Sequence, residues 1–259
     1  MLLVGSRDSC YFQFKALGRF NGLIHAVGCR RGGVSQRPFA TLNLSCTVGD
    51  TPDAVMRNRR RWRRLTGGGT HIYARQSHGT AIAVIGPEAA RCGPWIKTVP
   101  MPADALITDV PGIRLLIQTA DCQAVVLVDP QRRVVANVHC GWRGSVANII
   151  GRTVARMTAE FGCDPGRMTA AIGPSLGPCC AEFVNHEKEL PMQFRAFRTH
   201  GVHFDFWRIS QDQLATAGLG RDRVHTAGIC TRCNLDLFFS YRAAHRTGRF
   251  ATLIGLETI

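Results

Sequence analysis

Three residues in this chain have both the type and the setting for polar chemistry. His78 lies in a Gln-Ser-His-Gly turn, Cys122 closes Thr-Ala-Asp-Cys, and His139 ends an apolar run just ahead of Gly141-Trp142-Arg143-Gly144. Each stands where a strand hands its chain to a turn, which is where side chains reach a cleft. Two imidazoles and one thiolate make three ligands of a tetrahedral zinc, and three protein ligands with one open position is the pattern of catalytic zinc. The three are far apart in sequence, so spacing alone leaves unrelated structural roles open. They could also work without metal, Cys122 as nucleophile and His139 as its base, in a hydrolysis or deamidation. Asp121 beside Cys122 can orient a histidine ligand by accepting its second ring proton, or can cap its own turn.

Strands and turns must position these groups. Leu23 to Val27 reads as a strand, followed by a Gly- and Arg-rich loop from Cys29 to Ala40. Asp50 or Thr51 can cap a helix that has Pro52 in its first turn and runs to about Leu65. Short strands at His71 to Ala74 and Ala81 to Ile85 flank the His78 turn, and Gly86 to Pro102 reads as loop. Strands follow at Ala105 to Thr108, Leu115 to Thr119, Ala124 to Val128 and Val134 to His139, the last apolar enough to be buried on both faces. A helix from about Ser145 to Phe161 carries Val146, Ile149, Ile150, Val154, Met157 and Phe161 on one stripe. Met168 to Ile172 is a strand, Ser210 can cap a helix to Ala217, and strands near Val224 to Ile229 and Phe250 to Ile254 close the chain. Many strands and few helices, without repeat or linker, point to a single α+β (mixed α/β) domain over 1–259.

Composition narrows the function classes. The 259 residues carry 32 Lys+Arg against 18 Asp+Glu, a formal charge of +14. Only Lys15, Lys97 and Lys188 are lysines, and the densest arginine run is Arg57 to Arg64. Codon usage can account for much of an arginine bias. An anionic substrate is the favoured functional reading, because no zinc-finger spacing, helix-turn-helix or RRM motif supports nucleic acid. A nucleic-acid-binding role for the basic helix would show as binding that weakens steeply with salt. No apolar run reaches the ~18 residues of a membrane span. The first 15 residues include Arg7, Asp8 and Lys15 and lack a leader's apolar core, so a cytoplasmic chain is expected. Nothing in the sequence marks an oligomeric state. Eleven cysteines at irregular spacing are then expected to be reduced and mostly buried. Cys179-Cys180 and Cys230-Thr-Arg-Cys233 are not read as a second metal site, since adjacent cysteines ligate one ion poorly and no histidine accompanies them.

Separated motifs in a fixed order carry a family resemblance. They include Gly32 to Ser35, Leu42 to Ser45, Val48 to Asp50, Asn58-Arg59, Gln76 to Gly79, Ala103 to Leu106, Thr119 to Cys122 and His139 to Gly144. Ala171 to Pro174, Gly177 to Cys180, Cys230-Thr231, Phe238 to Arg242 and Thr247 to Arg249 continue it. With these the chain resembles the polyphenol oxidase, or YfiH-like, laccase-domain family. The resemblance implies a layered sandwich of mixed sheets with outer helices, and it matches His78, Cys122 and His139 to the family's metal-site residues. It implies zinc, with copper as the alternative from the family's earlier phenol-oxidase label. It also implies phosphorolysis of adenosine, inosine, guanosine and methylthioadenosine, and deamination of adenosine; some bacterial members are tied to cell-wall precursor quality control. One His/Cys/His site cannot form the multi-copper cluster of a true laccase, so phenol oxidation ranks low. Two departures are visible: Gln-Ser-His-Gly for the commoner Gln-Val-His-Gly, and His-Cys-Gly-Trp for His-Ala-Gly-Trp.

Phosphorolysis needs phosphate held in line with the ribose C1′, and arginine's fork matches two phosphate oxygens at once. Arg59 and Arg143 are the first candidates by motif, then Arg242 and Arg249. Asn43 and Gln76 could bond base or ribose, although turn-stabilising bonds are the favoured explanation for both. Trp142 is expected to pack rather than stack on a purine.

Overall fold

The computed structural model describes residues 1–6, 9–91 and 95–257. Arg7 and Asp8 of the N-terminal charge pattern, and residues 92–94 of the 86–102 loop, lie outside the described residues. Thirteen strands are described in chain order: β1 (Leu2–Ser6), β2 (Ser9–Gln13), β3 (Leu23–Gly28), β4 (Thr70–Tyr73), β5 (Ile82–Val84), β6 (Ile96–Thr98), β7 (Ala105–Thr108), β8 (Ile113–Thr119), β9 (Gln123–Asp129), β10 (Val134–Cys140), β11 (Thr169–Ile172), β12 (Val224–Thr226) and β13 (Phe250–Leu256). The longer helices are α1 (Pro52–Leu65), α2 (Trp142–Val146), α3 (Ile149–Phe161) and α4 (Phe206–Thr216).

The strands form two mixed sheets, β1-β2-β3-β13-β8-β4-β6 and β12-β11-β9-β10-β7-β5. Period-2 alternation builds the layers. Ile113, Leu115 and Ile117 of β8 meet Ala124, Val126 and Val128 of β9 between the sheets. Leu116 turns the other way, with Ala251 and Leu253, onto Trp62 of α1. On the second sheet Val125, Leu127, Val134, Ala136 and Val138 face outward onto Ile149, Ile150, Val154 and Met157 of α3 and Leu214 of α4. Both faces of β9 and β10 are therefore covered, which is why these strands are apolar at nearly every position. The architecture is mixed α+β, with helices outside a two-sheet sandwich.

Several local expectations need correction. The 145–161 helix is two helices: Asn148, at φ 53, breaks the path and caps α3 by accepting from the Gly151 N–H. Val146 is consequently exposed rather than in the core stripe. Ser210 does not cap α4; Asp205 does, accepting from the Arg208 N–H, while Ser210 is buried inside the helix and bonds Gln123. Thr51 stands at the start of α1 without a side-chain cap bond, and Pro52 sets the first turn. The 86–102 stretch contains a one-turn helix, Glu88–Arg91, and the edge strand β6. The β1–β2 hairpin, paired from Leu2↔Gln13 to Ser6↔Ser9, carries no periodic apolar signal in β1, where Leu2 and Leu3 are exposed; β2 alone reaches the core, through buried Cys10 and through Phe12 against Phe238. Among the described residues no helix is long and apolar enough to cross a membrane.

Candidate functional site

The register of the second sheet places the chemistry. β10 pairs with β9 so that His139 faces Ala124, and with β7 so that Val138 faces Ala105. His139 therefore lies beside Asp104, the residue before β7, and near the β8–β9 turn that carries Cys122. β5 pairs parallel to β7, Ile82 opposite Ala105, which brings the β4–β5 turn and His78 to the same end. The ligand atoms of His78, Cys122 and His139 all lie within 4.8 Å of one another. The two imidazole rings meet edge to face, 4.8 Å between centroids.

Asp104 organises this arrangement. Its carboxylate is fully buried and accepts from the backbone N–H groups of Ser77, His78 (2.9 Å) and Gly79 (2.8 Å), from the Ser77 hydroxyl, and from His139 Nδ1 at 2.8 Å. Those N–H bonds hold His78 at φ 61, a left-handed conformation that L-residues seldom adopt. Burial acts to raise the Asp104 pKa. The His139 and Gly79 hydrogen bonds outweigh it and keep the carboxyl ionised, well below the usual carboxylate range. Asp104 thus takes the histidine-orienting role that was one of two readings of Asp121, and only β7–β10 pairing, which sequence adjacency does not reveal, brings it to His139. Asp121, held at φ 91, accepts instead from the Thr231 hydroxyl (2.6 Å) and the Arg242 N–H (2.6 Å), tying together two loops of the cavity wall.

Electrostatics follow from these contacts. Burial would raise the half-buried Cys122 thiol, but hydrogen bonds and charge from His139 and His78 bring it down to about 6. Burial would lower His139, but Asp104 and Cys122 push it up to about 9. Without metal the pair is a thiolate beside an imidazolium. The donor set also fits a metal: a soft sulfur, two imidazoles, and a carboxylate fixing the far nitrogen of His139, which sets that ring's orientation and leaves its other nitrogen for an ion.

The trio opens into a cavity of about 670 Å³. Trp142, Phe183, Phe206 and Tyr241 give it aromatic lining, and Arg75, Arg143, Arg242 and Arg249 line it as well. Arg143 is exposed, its guanidinium 4.3 Å above the Trp142 ring and without a hydrogen bond or ion pair among the described residues. Arg242 donates to the carbonyls of Cys180 and Glu182, and Arg249 to those of Thr247 and Gly248. Trp142 packs edge-on to Phe183 as well as facing the cavity. Arg75 escaped the sequence reading because it stands in no charged cluster.

Two expected site residues do not reach the cavity, and a third reaches it with its amide engaged. Arg59 is buried, donates to the Leu44 carbonyl at 2.8 Å and lies 3.8 Å over the Tyr73 ring. Its helix is amphipathic and turns this arginine inward as a cation–π prop for the 42–45 loop, so it is corrected from catalytic to structural. Asn43 is fully buried, with its amide engaged by Ser45, Asp50 and the Arg249 N–H, so it is corrected from substrate contact to loop clamp. Gln76 lines the cavity, but both ends of its amide bond the Gln118 backbone, joining the His78 turn to β8.

Gly141 marks how closely the trio is packed. A Cβ there would sit 3.0 Å from the Cys122 sulfur and 3.2 Å from a His78 ring carbon. Gly141→Ala is expected to displace both ligands and weaken metal binding about 10-fold or more, comparable to loss of a supporting contact. Competition against a chromogenic chelator measures this, with circular dichroism expected to stay native.

A family model described as Multi-copper polyphenol oxidoreductase laccase matches residues 24–257. A Xylella fastidiosa protein named purine nucleoside phosphorylase is 34% identical over 233 residues, covering 85% of this chain and 87% of that one. A Deinococcus radiodurans protein of the same name is 35% identical over 242 residues, covering 90% and 88%. Among solved structures, YlmD from Geobacillus stearothermophilus superposes with TM-score 0.83 at 28% identity, covering 98% of each chain. The Bacillus licheniformis hypothetical protein YfiH gives 0.82 at 27%, covering 92% and 94%. With a family model spanning nearly the whole chain and solved relatives sharing its two-sheet frame, the chain belongs to the multi-copper polyphenol oxidoreductase laccase family.

Proposed function

We propose that this chain is a metal-dependent purine nucleoside phosphorylase that also deaminates adenosine at the same centre. The observation that carries the reading is the convergence of His78, Cys122 and His139 on one cavity that offers both aromatic faces and arginines. Relatives with the phosphorylase name support it. Trp142, Phe183, Phe206 and Tyr241 offer apolar surface for the purine, and Arg143, Arg242 and Arg249 offer charge to phosphate and to its developing bond with ribose. In phosphorolysis a phosphate oxygen bonds C1′ as the glycosidic C–N bond breaks, giving free base and ribose 1-phosphate. In deamination water replaces the C6 amino group, giving inosine and ammonia.

His78, Cys122 and His139 would hold the ion, zinc by the nature of the donors and copper as the alternative. When bound, such an ion supplies Lewis acidity, polarising a purine heteroatom or acidifying a water. Asp104 keeps His139 oriented, and the narrow approach at Gly141 keeps the donors together. Incubation with adenosine and phosphate, resolving adenine, inosine and hypoxanthine, is the test: adenine requires phosphate, inosine does not, and absence of all three overturns the reading.

Arg143→Ala is expected to raise the KM for phosphate roughly 10- to 100-fold, the worth of a charge-assisted hydrogen bond, while the KM for adenosine changes little. Arg143→Lys should recover only part of this, since an ammonium lacks the two-pronged fork. Initial rates at varied phosphate decide it.

A second reading rests on the His139–Asp104 bond. Cys122, His139 and Asp104 form a line like that of a Cys–His–Asp hydrolase, with the thiol already acidified. Full activity of metal-free protein toward a small amide, and none toward adenosine, would favour it.

A further inference from the structure

Two cysteine pairs that are remote in sequence meet away from the catalytic trio. Ser175 and Cys230 form a parallel bridge, with the Ser175 N–H bonded to the Ile229 carbonyl and the Thr231 N–H to that of Ser175. This registers the 174–182 loop against the 229–234 loop. Gly177 permits the approach, because a Cβ there would stand 3.0 Å from that of Cys230 and 2.8 Å from the Trp207 ring. The sulfurs of Cys179, Cys180, Cys230 and Cys233 then all lie within 4.8 Å of one another. Both Cys179 and Cys180 approach Cys233 to 3.6 Å.

We propose that these four cysteines form a structural tetrathiolate site for one zinc-class divalent ion, separate from the His/Cys/His centre. The sulfur spacing fits: four sulfurs about 2.3 Å from a central zinc stand about 3.8 Å apart in a tetrahedron. Cys230-Thr-Arg-Cys233 has the spacing of a zinc knuckle, in which a backbone N–H of the loop points at the first sulfur; the Cys233 and Gly177 backbones stand in that relation to Cys230. Cys180 and Cys230 are buried whereas Cys179 and Cys233 are exposed, so an ion can enter from solvent to a half-built site. Four thiols facing one another have no cationic partner among them, and a divalent ion supplies one as the thiol protons leave to water. The adjacency of Cys179 and Cys180 is no obstacle, because the chain turns at this pair and both reach Cys233.

The site would staple the wall of the catalytic cavity. The Leu176 N–H bonds the Asp121 carbonyl, Thr231 bonds the Asp121 carboxylate, and Arg242 reaches the Cys180 carbonyl. Leu176, Asp121 and Arg242 all line the cavity. An ion joining the two loops would fix these residues without touching substrate.

The test uses the 259-residue chain stripped and reloaded anaerobically, first with zinc and then with cobalt(II). Cys122→Ala protein, in which the trio lacks its sulfur, is expected to retain one tightly held ion. Its cobalt form should show the intense thiolate-to-metal charge-transfer bands of a four-sulfur tetrahedral site. Adding Cys179→Ser and Cys233→Ser to the Cys122→Ala protein, both at exposed positions, should abolish those bands. A Cys122→Ala protein that binds no ion, or whose cobalt spectrum lacks thiolate charge transfer, overturns the proposal. So does a disulfide among the four in freshly prepared anaerobic protein. Because the decisive count is made without Cys122, it stands whether or not the trio binds metal.

Discussion

Asp104→Ala is expected to dismantle the candidate centre rather than trim it. The substitution leaves the partly buried Ser77, His78 and Gly79 N–H groups and the fully buried His139 Nδ1 without their acceptor. Removing one partner of a buried, hydrogen-bonded ion pair costs about 3–5 kcal/mol, and in a chain of this size each kcal/mol lowers Tm by roughly 2–4 °C. The β4–β5 turn would relax from its left-handed His78, and His139 would lose its fixed ring orientation. Metal affinity should fall about 10- to 100-fold. Asp104→Asn keeps acceptor oxygen for part of the turn but places an amide N–H in it, so it should recover stability more than metal affinity. Calorimetry and chelator competition on both variants separate these effects. An Asp104→Ala protein with wild-type Tm and metal affinity would show that the carboxylate organises nothing.

Cys122→Ala is expected to cost at least ~10³-fold in kcat/KM, or about 4 kcal/mol of transition-state stabilisation, with metal lost from the trio. The fold should survive, because the side chain is half-buried at the cavity. In stripped wild-type protein the same thiol should react with iodoacetamide at a rate that rises through about pH 6 and levels off near neutrality. The sign follows from the depressed pKa: the nucleophilic thiolate is the major form above it and is lost as pH falls through it. Buried Cys140, pushed up to about 12, should stay unreactive throughout. Metal should protect Cys122 at neutral and alkaline pH, where protons do not compete for the ligands. Peptide mapping by mass spectrometry reads both outcomes, and alkylation that begins only above pH 8 would remove the thiolate–imidazolium pair.

The frame of this protein was written in local pattern. The near-continuous apolar runs of β8, β9 and β10 could be satisfied only between covering layers, and the periodicity of 149–157 fixed one face of α3 against a sheet. Turn motifs placed His78, Cys122 and His139 at strand ends, because strand termini and tight turns are short-range properties of the chain. Strand pairing decided the rest, since it acts between residues tens of positions apart. It set Asp104 against His139 where adjacency had favoured Asp121. It turned Arg59 inward onto Tyr73, a choice made by the face of α1 that meets the sheet rather than by its arginine count. It also closed Cys179-Cys180 onto Cys230 and Cys233, through a bridge between two loops that carry no regular pattern. A side chain's type and local setting are encoded beside it in the sequence, but its partner is chosen by register and packing across the whole sandwich, and only the folded chain shows that choice.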